Sequence, residues 1–574
     1  MRGAHLASVG RAVARTLRQE WAEGTLGRTL ALSHRAGTLR FAAEPTYGEL
    51  LERRAAEAPH RPYLTFEGGS LSHAQMNARA DAVAAGLLRL GLRPGDVVSL
   101  LCPNVPAFLE TFFATQKLGM GLVPVNTGLK GEGLRHVLGH SGSRAVVVHR
   151  RFLPQVAALG DRLPQLEHRV IVAEGDRTDV PREAPVLEDW YARHAAAGRP
   201  GVAPDPEAVS LLMYTSGTTG APKGVVYRYR DTQTKRLRLL ANLLYDPGEA
   251  LFTCLPLFHA NALLLAAVQA LNVRGRLGLE RRFSASRFWQ QAAEHGATSF
   301  NALGAMIPIL LKQPPGPHDR VHRVRTVVSA ACPAHAWRPF EERFGVRLVE
   351  AYGAVDGGGF ITMNLGQAPV GSIGRPLGGA RYRLVGSNGE DVPVGQTGEL
   401  LVWSGGTGPG VEYYRDEEAT QAKTRRGWIH TGDLMYRDAK GFLYFAGRNT
   451  DSMRRRGENV SAFEVETVLD RHPDVLECAV FGVPSELGEE EIMAVVVPVE
   501  GRVPEPAALR AHAAEQLAAH AVPRYWEITD ELPKTGTHRV QKSALKARGI
   551  TARTWDAEAP GAKGGEPCET PTRA

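Results

Sequence analysis

The chain has 574 residues, 43% of them hydrophobic, which is too long for one core, so more than one domain is expected. A formal charge of +7 is a modest excess at this length: it suits anionic ligands and does not argue for nucleic acid, for which no binding motif or zinc spacing is present. Cys102, Cys254, Cys332, Cys478 and Cys568 are scattered without a CxxC pair, as in a reduced cytosolic protein, and apolar runs such as Ala262 to Val268 are far short of a membrane span.

The first 40 residues carry Arg2, Arg11, Arg15, Arg18, Arg28, Arg35 and Arg40 against Glu20 and Glu23. Leu6, Val9, Val13, Leu17 and Trp21 recur at helical spacing, predicting a basic amphipathic helix. Packing on its own domain, or a loosely ordered extension, is the preferred reading; peripheral membrane contact is the alternative. From Tyr47 to about Val148, helical segments alternate with short apolar runs. Asn77 to Leu90 reads as a helix, Val97 to Leu101 as a buried strand, Ala107 to Leu118 as a helix and Gly121 to Val125 as a strand. Strands at Arg144 to His149 and Arg169 to Ala173 continue the pattern, which predicts α/β layering with largely parallel strands. After Gly371 the strands Tyr382–Val385, Gly398–Val402 and Phe442–Phe445 lie between Gly/Asn turns, predicting a β-rich subdomain. Beyond Arg448, a helix near Phe463 to His472 and strands near Ala479–Phe481 and Met493–Val499 predict a small α+β unit ending near Lys546. The Ala/Gly/Pro-rich tail after Ile550 is expected to have little fixed structure.

The segment Tyr214-Thr-Ser-Gly-Thr-Thr-Gly-Ala-Pro-Lys-Gly224 carries the chemistry. Gly217 and Gly220 let backbone N–H groups approach an anion, Thr215, Ser216, Thr218 and Thr219 add hydroxyl donors, and Lys223 adds a positive charge. It reads as a phosphate cradle, but not a Walker A loop, because Pro222 precedes the lysine and Gly224 follows it.

On this segment, and on Glu350-Ala-Tyr-Gly-Ala-Val-Asp356, His430-Thr-Gly-Asp433 and Gly447-Arg448, the chain is similar to the adenylate-forming (AMP-binding) superfamily over roughly residues 45 to 550. Asn126-Thr-Gly-Leu-Lys130, Leu255-Pro-Leu-Phe-His259 and Arg454-Arg-Arg-Gly-Glu-Asn-Val-Ser461 resemble its fatty-acid transport protein and carnitine-CoA ligase branches. The resemblance implies an α/β fold: a large N-terminal AMP-binding domain (45–447) with layered α/β subdomains and a β-rich subdomain, then a small mobile α+β lid (448–550). A basic extension (1–44) and a flexible tail (551–574) would flank them.

The resemblance also implies roles. Thr215, Ser216, Gly217, Thr218, Thr219, Gly220 and Lys223 would bind the β- and γ-phosphates of ATP. Tyr352 would pack on adenine, with Gly353 and Ala331 (in Ser329-Ala-Ala-Cys-Pro333) beside it, Asp433 would accept the ribose hydroxyls, and Arg448 would reach the nucleotide. Asp356 stands where the family has a glutamate that holds Mg²⁺, one methylene shorter, and Val355 replaces a threonine that contacts the α-phosphate. In Pro533-Lys-Thr-Gly-Thr-His-Arg-Val-Gln-Lys542, Arg539 occupies the place of the lysine that bridges carboxylate and α-phosphate, keeping the charge with a different geometry. Lys534 and Lys542 are nearby cations without an assigned role. Thr450 sits at the hinge, and Arg456, Gly457 and Glu458 would line the CoA side, where Arg454 and Arg455 are further candidates for its phosphates. His259 resembles a gate at the acyl pocket, whose walls would include Ala302 and Gly304.

The expected activity is an ATP-dependent acyl-CoA synthetase using ATP, Mg²⁺ and CoA on a carboxylic acid, first a medium- or long-chain fatty acid and second a carnitine-like or other small carboxylate. An acyl-AMP ligase loading a carrier protein, and a catalytically impaired nucleotide- or acyl-binding homologue, remain alternatives. So do homodimerisation and membrane association of an otherwise cytoplasmic protein.

Overall fold

The computed structural model describes residues 46–559 except 216–221, 232–233, 305, 360, 367, 377–379, 406–409, 456–457, 485–489 and 535–539; side chains at 231, 234–236, 239, 450, 452, 454, 458 and 459 are also outside the description. The expected N-terminal amphipathic helix therefore lies outside the described residues.

Two large sheets share one core. The first runs in the order His168–Val172, Ala145–His149, Val97–Leu101, Gly121–Pro124, Val209–Thr215, Lys223–Arg228, and all its pairings are parallel except the last. The second has nine strands, with a parallel interior of Arg347–Gly353, Thr326–Ala330, Ser299–Leu303, Ala250–Thr253, Arg276–Leu279 and Pro62–Phe66. Strands covered on both faces read as continuous apolar runs, and Val97–Leu101 and Ala145–His149 are buried at every position. Helix His73–Arg89 starts at a capping box of Ser72 and Gln75, and helix Pro106–Lys117 starts with proline in its first turn, where no N–H is missed. Met76, Val83, Phe108, Phe112 and Phe113 of these helices join Val98 and Val147 of the first sheet and Leu251, Phe300 and Val327 of the second in one buried cluster.

The β-rich subdomain is a five-stranded antiparallel sheet that includes Tyr382–Val385, Gly398–Trp403, Trp428–Arg437 and Leu443–Arg448. The C-terminal unit has a four-stranded sheet with apolar clusters around Val480 and Trp526 and around Phe481 and Val495. Residues 551–559 depart from the expectation of a structureless tail. Trp555–Asp556 pairs with Tyr525–Ile528 as an edge strand, and Asp556 takes a bidentate ion pair from Arg524 at 2.9 and 2.8 Å. A local composition rich in Ala and charge gives no sign of a partner strand thirty residues upstream. Cys102, Cys254, Cys332 and Cys478 are free and buried, and no described helix is long and apolar enough to cross a membrane.

Candidate active site

Residues at or just past the carboxyl ends of Val97–Leu101, Gly121–Pro124, Ala145–His149, Ala250–Thr253, Arg276–Leu279 and Ser299–Leu303 line one crevice, the usual ligand position in open α/β sheets. Tyr352 lies near the end of Arg347–Gly353, and Asp433 lies on the antiparallel sheet that faces it. The Tyr352 hydroxyl donates to Asp433 Oδ2 at 2.5 Å, and Arg448 Nε sits 3.0 Å from Asp433 Oδ1. Asp433 and Arg448 are partners across adjacent strands, so the sheet register itself sets this pair. Asp433 is 2% exposed. Burial, and then the Asp433 carboxylate, hold the Tyr352 phenol well above its ordinary value, so it stays a donor. The sequence places these three residues in separate motifs, and the fold joins them. An acceptor-only carboxylate already oriented by a phenol and a guanidinium suits a diol.

The phosphate segment connects two antiparallel strands, and Thr215 stands opposite Lys223 at the point of closure. Ser216, Gly217, Thr218, Thr219 and Gly220 lie outside the described residues. The base of the segment is braced from helix Gly131–His140: His140 Nδ1 is 2.8 Å from the Tyr214 hydroxyl, and His136 Nε2 is 3.0 Å from the Pro222 carbonyl oxygen. Burial, then His136 and Arg415, lower the His140 pKa, which favours a neutral ring in this contact. Lys223 lies 3.5 Å from Asp416 and over the Tyr413 ring.

Asp356, the candidate metal carboxylate, is already engaged. It accepts the Tyr413 hydroxyl at 2.9 Å and pairs with Lys423 at 3.0 Å, while the Tyr227 hydroxyl donates to the Val355 carbonyl at 3.0 Å. Tyr413 thus touches both Lys223 and Asp356. Sequence reading missed Lys423 and Tyr413, because neither stands in a motif and both reach the site only through the fold. A single partly exposed carboxylate is a sufficient protein ligand for Mg²⁺ when phosphate oxygens supply others, so the residues present fit that ion.

Ala331 follows the strand Thr326–Ala330 with φ +68°, and a Cβ at Gly304 would lie 2.0 Å from its carbonyl oxygen. Gly304 is therefore small because two backbones meet there, and Ala302 is fully buried in the core. Asn104 is another residue the motifs did not flag. It donates to the Leu255 and Glu280 carbonyls, both at 2.9 Å, and accepts from the Leu257 N–H at 2.8 Å, fixing the loop that ends at His259. Beside this loop a cavity of about 240 Å³ is lined by Phe152, Leu255, Phe258, Phe283, Leu303 and Met306, with Arg151, Arg281 and Arg282 also on its wall.

In the C-terminal unit, Arg539, Arg456 and Gly457 lie outside the described residues, as do the side chains of Glu458 and Thr450. The backbone at the expected hinge forms a short 3₁₀ turn, Asn449–Asp451. Arg455, a candidate for CoA phosphates, is instead 4% exposed, with Glu491 at 2.6 Å and the Val522 carbonyl at 2.7 Å. Lys534 and Lys542 are held by Glu477 and Glu466, each at 2.7 Å.

Comparison with known proteins agrees with this geometry. Residues 51–411 match the AMP-binding enzyme family, and residues 464–539 match the AMP-binding enzyme C-terminal domain. A sulfoacetate–CoA ligase of Cupriavidus necator is 35% identical over 508 residues, 87% of this chain and 97% of the relative. A crotonobetaine/carnitine–CoA ligase of Salmonella paratyphi A is 30% identical over 486 residues, 83% and 93% of the two chains. The crystal structure of an anthranilate CoA ligase in complex with anthranoyl-AMP superposes with a TM-score of 0.78 at 26% identity, covering 90% of this chain and 98% of the other. A buried carboxylate oriented by a phenol and a guanidinium, a lysine at the root of a Gly/Thr segment and this likeness over nearly the whole length have one explanation: the chain belongs to the AMP-binding enzyme family, as an AMP-forming acid–thiol ligase that uses ATP and CoA to activate a carboxylic acid through its acyl adenylate.

Proposed function

We propose that the acid is compact and mainly apolar, a medium-chain fatty acid or an aryl acid, rather than a long-chain one. The cavity beside the His259 loop carries this reading, because its lining is chiefly apolar and its volume is limited. Relatives named for sulfoacetate and for crotonobetaine or carnitine support a short acid and give no support to a long-chain one.

In the first step a carboxylate oxygen attacks the α-phosphorus of ATP, the bond from that phosphorus to the bridging oxygen breaks, and pyrophosphate leaves. Asp433 accepts the ribose hydroxyls, Tyr352 lies against the base, and Lys223 with Thr215 faces the departing phosphates. Arg539 spans the acid's carboxylate and the α-phosphate. Mg²⁺, held by Asp356 with phosphate oxygens, would neutralise charge on the leaving group. In the second step the CoA sulfur, having lost its proton, attacks the acyl carbon and AMP leaves. Arg456, Gly457 and Glu458 serve that step, with the lid turning at Thr450.

A second reading has one observation behind it. Arg151 and Arg282 on the cavity wall would suit an acid with a second anionic group, whereas Arg281 is already bound by Glu67 and Glu174. The test is pyrophosphate release by the purified chain with ATP, Mg²⁺ and CoA over a panel of medium-chain, long-chain, aryl, betaine and sulfonated acids. Highest kcat/KM with medium-chain or aryl acids supports the first reading, and preference for a sulfonate supports the second. Preference for long chains overturns both. Turnover with a pantetheinylated carrier protein but not with CoA would move the acceptor to the carrier.

A further inference from the structure

We infer that Glu350 is a positioning residue for the nucleotide site, its carboxylate clamping the left-handed turn at Ala331 against which the base is bound. This rests on the adenylation reading above. Glu350 sits within the strand Arg347–Gly353, following the buried apolar pair Leu348-Val349, and is 2% exposed. A carboxylate so deep is ordinarily held by a cation, yet among the described residues no ion pair reaches it. Its partners are backbone donors instead: the Ala331 N–H at 2.5 Å, and the Cys332 N–H at 3.2 Å from each oxygen.

Those donors belong to the turn that ends the neighbouring strand. Thr326–Ala330 pairs with Arg347–Gly353 in parallel as far as Ser329 and Glu350. Two more residues in the same register would place Ala331 beside Tyr352. The chain instead turns at Ala331 with φ +68°, a conformation that suits glycine and strains a residue with a Cβ. The turn also frees two N–H groups from the sheet, and such buried donors must find acceptors. One ionised carboxylate, placed by the adjacent strand, takes both and makes the strained conformer the stable one. The Ala331 carbonyl is thereby pressed against the backbone of Gly304, which fixes it from the other side. Burial pushes the Glu350 carboxyl up to about 7, against the lowering effect of the Cys332 and Ala331 N–H groups and the Ser329 hydroxyl. Glu350 and Tyr352 occupy one strand two residues apart, so the clamp and the expected base-packing ring move as one unit.

The experiment is calorimetric titration of the full chain with AMP, and separately with CoA, at pH 8. Wild type, Glu350→Leu, Glu350→Gln and each variant combined with Ala331→Gly are compared. Glu350→Leu is expected to weaken AMP about ten-fold or more, the loss of hydrogen bonds to a charged acceptor, with CoA affinity held within about two-fold. Glu350→Gln, which keeps one acceptor oxygen and covers the case in which the leucine variant does not fold, is expected to show a smaller loss of the same kind. Adding Ala331→Gly is expected to restore most of the affinity, because glycine adopts the turn without a clamp. Unchanged AMP affinity, a loss that Ala331→Gly does not recover, or an equal loss of CoA binding would overturn the inference. Failure of the wild-type chain to bind AMP would instead overturn the adenylation reading on which it rests.

Discussion

The proposed ribose side and the proposed phosphate side of the crevice are built on different principles. On the ribose side, Asp433 is buried and its oxygens are oriented by Arg448, its register partner on the adjacent strand, and by Tyr352 from a strand of the second large sheet. On the phosphate side, Asp356 and Lys223 are partly exposed and paired with Lys423 and Asp416. A rigid, prearranged acceptor loses little on binding a neutral diol. On the proposed reading, the phosphate side would exchange these internal partners for those of an arriving polyanion. Two of the family's usual residues, the threonine and the glutamate, are replaced there by Val355 and Asp356.

Asp433→Ala strikes the prearranged side, and the largest effect is expected there. It removes the acceptor of the ribose hydroxyls and leaves Tyr352 and Arg448 without their partner. AMP and ATP affinity should both fall about a hundred-fold or more, read by titration calorimetry. A loss confined to ATP would dissolve the distinction between the two sides.

Arg539→Ala comes next, at roughly a hundred-fold on acid-dependent pyrophosphate release, the effect of removing one donor aimed at developing charge. Thioester formation from supplied acyl-AMP should remain within a few-fold of wild type in single-turnover assays. Normal rates in both half-reactions would remove Arg539 from the chemistry. Arg539→Lys sharpens the point, since a faster first step would show that the guanidinium handicaps it.

Lys423→Met is expected to have the smallest effect, about ten-fold on the KM for ATP, with AMP affinity unchanged, because only the phosphate side loses a charge. Equal effects on ATP and AMP would show that Lys423 supports the whole crevice rather than its phosphate end.

Much of the fold can be read from the sequence, because it depends on local pattern. The runs expected as strands at Val97–Leu101 and Tyr382–Val385 are the observed strands residue for residue, and the helix expected from Asn77 begins four residues earlier, at the Ser72 cap. The capping box at Ser72 and Gln75 was the available signal for that start. The site is legible as separate motifs, but its wiring is not. Tyr352 and Asp433 are 81 positions apart, Tyr413 and Asp356 57 apart, and no spacing rule joins them. Glu350 did leave a trace: an acid within a strand of apolar residues breaks the local pattern, and such breaks gather at functional sites. The edge strand Trp555–Asp556 left none, since its position depends on Arg524 and on the sheet it completes.

As an AMP-forming ligase, this chain makes an acyl adenylate before any thiol is engaged. Isotopic exchange between pyrophosphate and ATP, measured without CoA across the acid panel, addresses that step alone. Exchange is expected to depend on a compact acid and to be abolished in Asp433→Ala. ATP binding without acid-dependent exchange for any acid would contradict this expectation and leave a nucleotide-binding homologue that does not activate carboxylates.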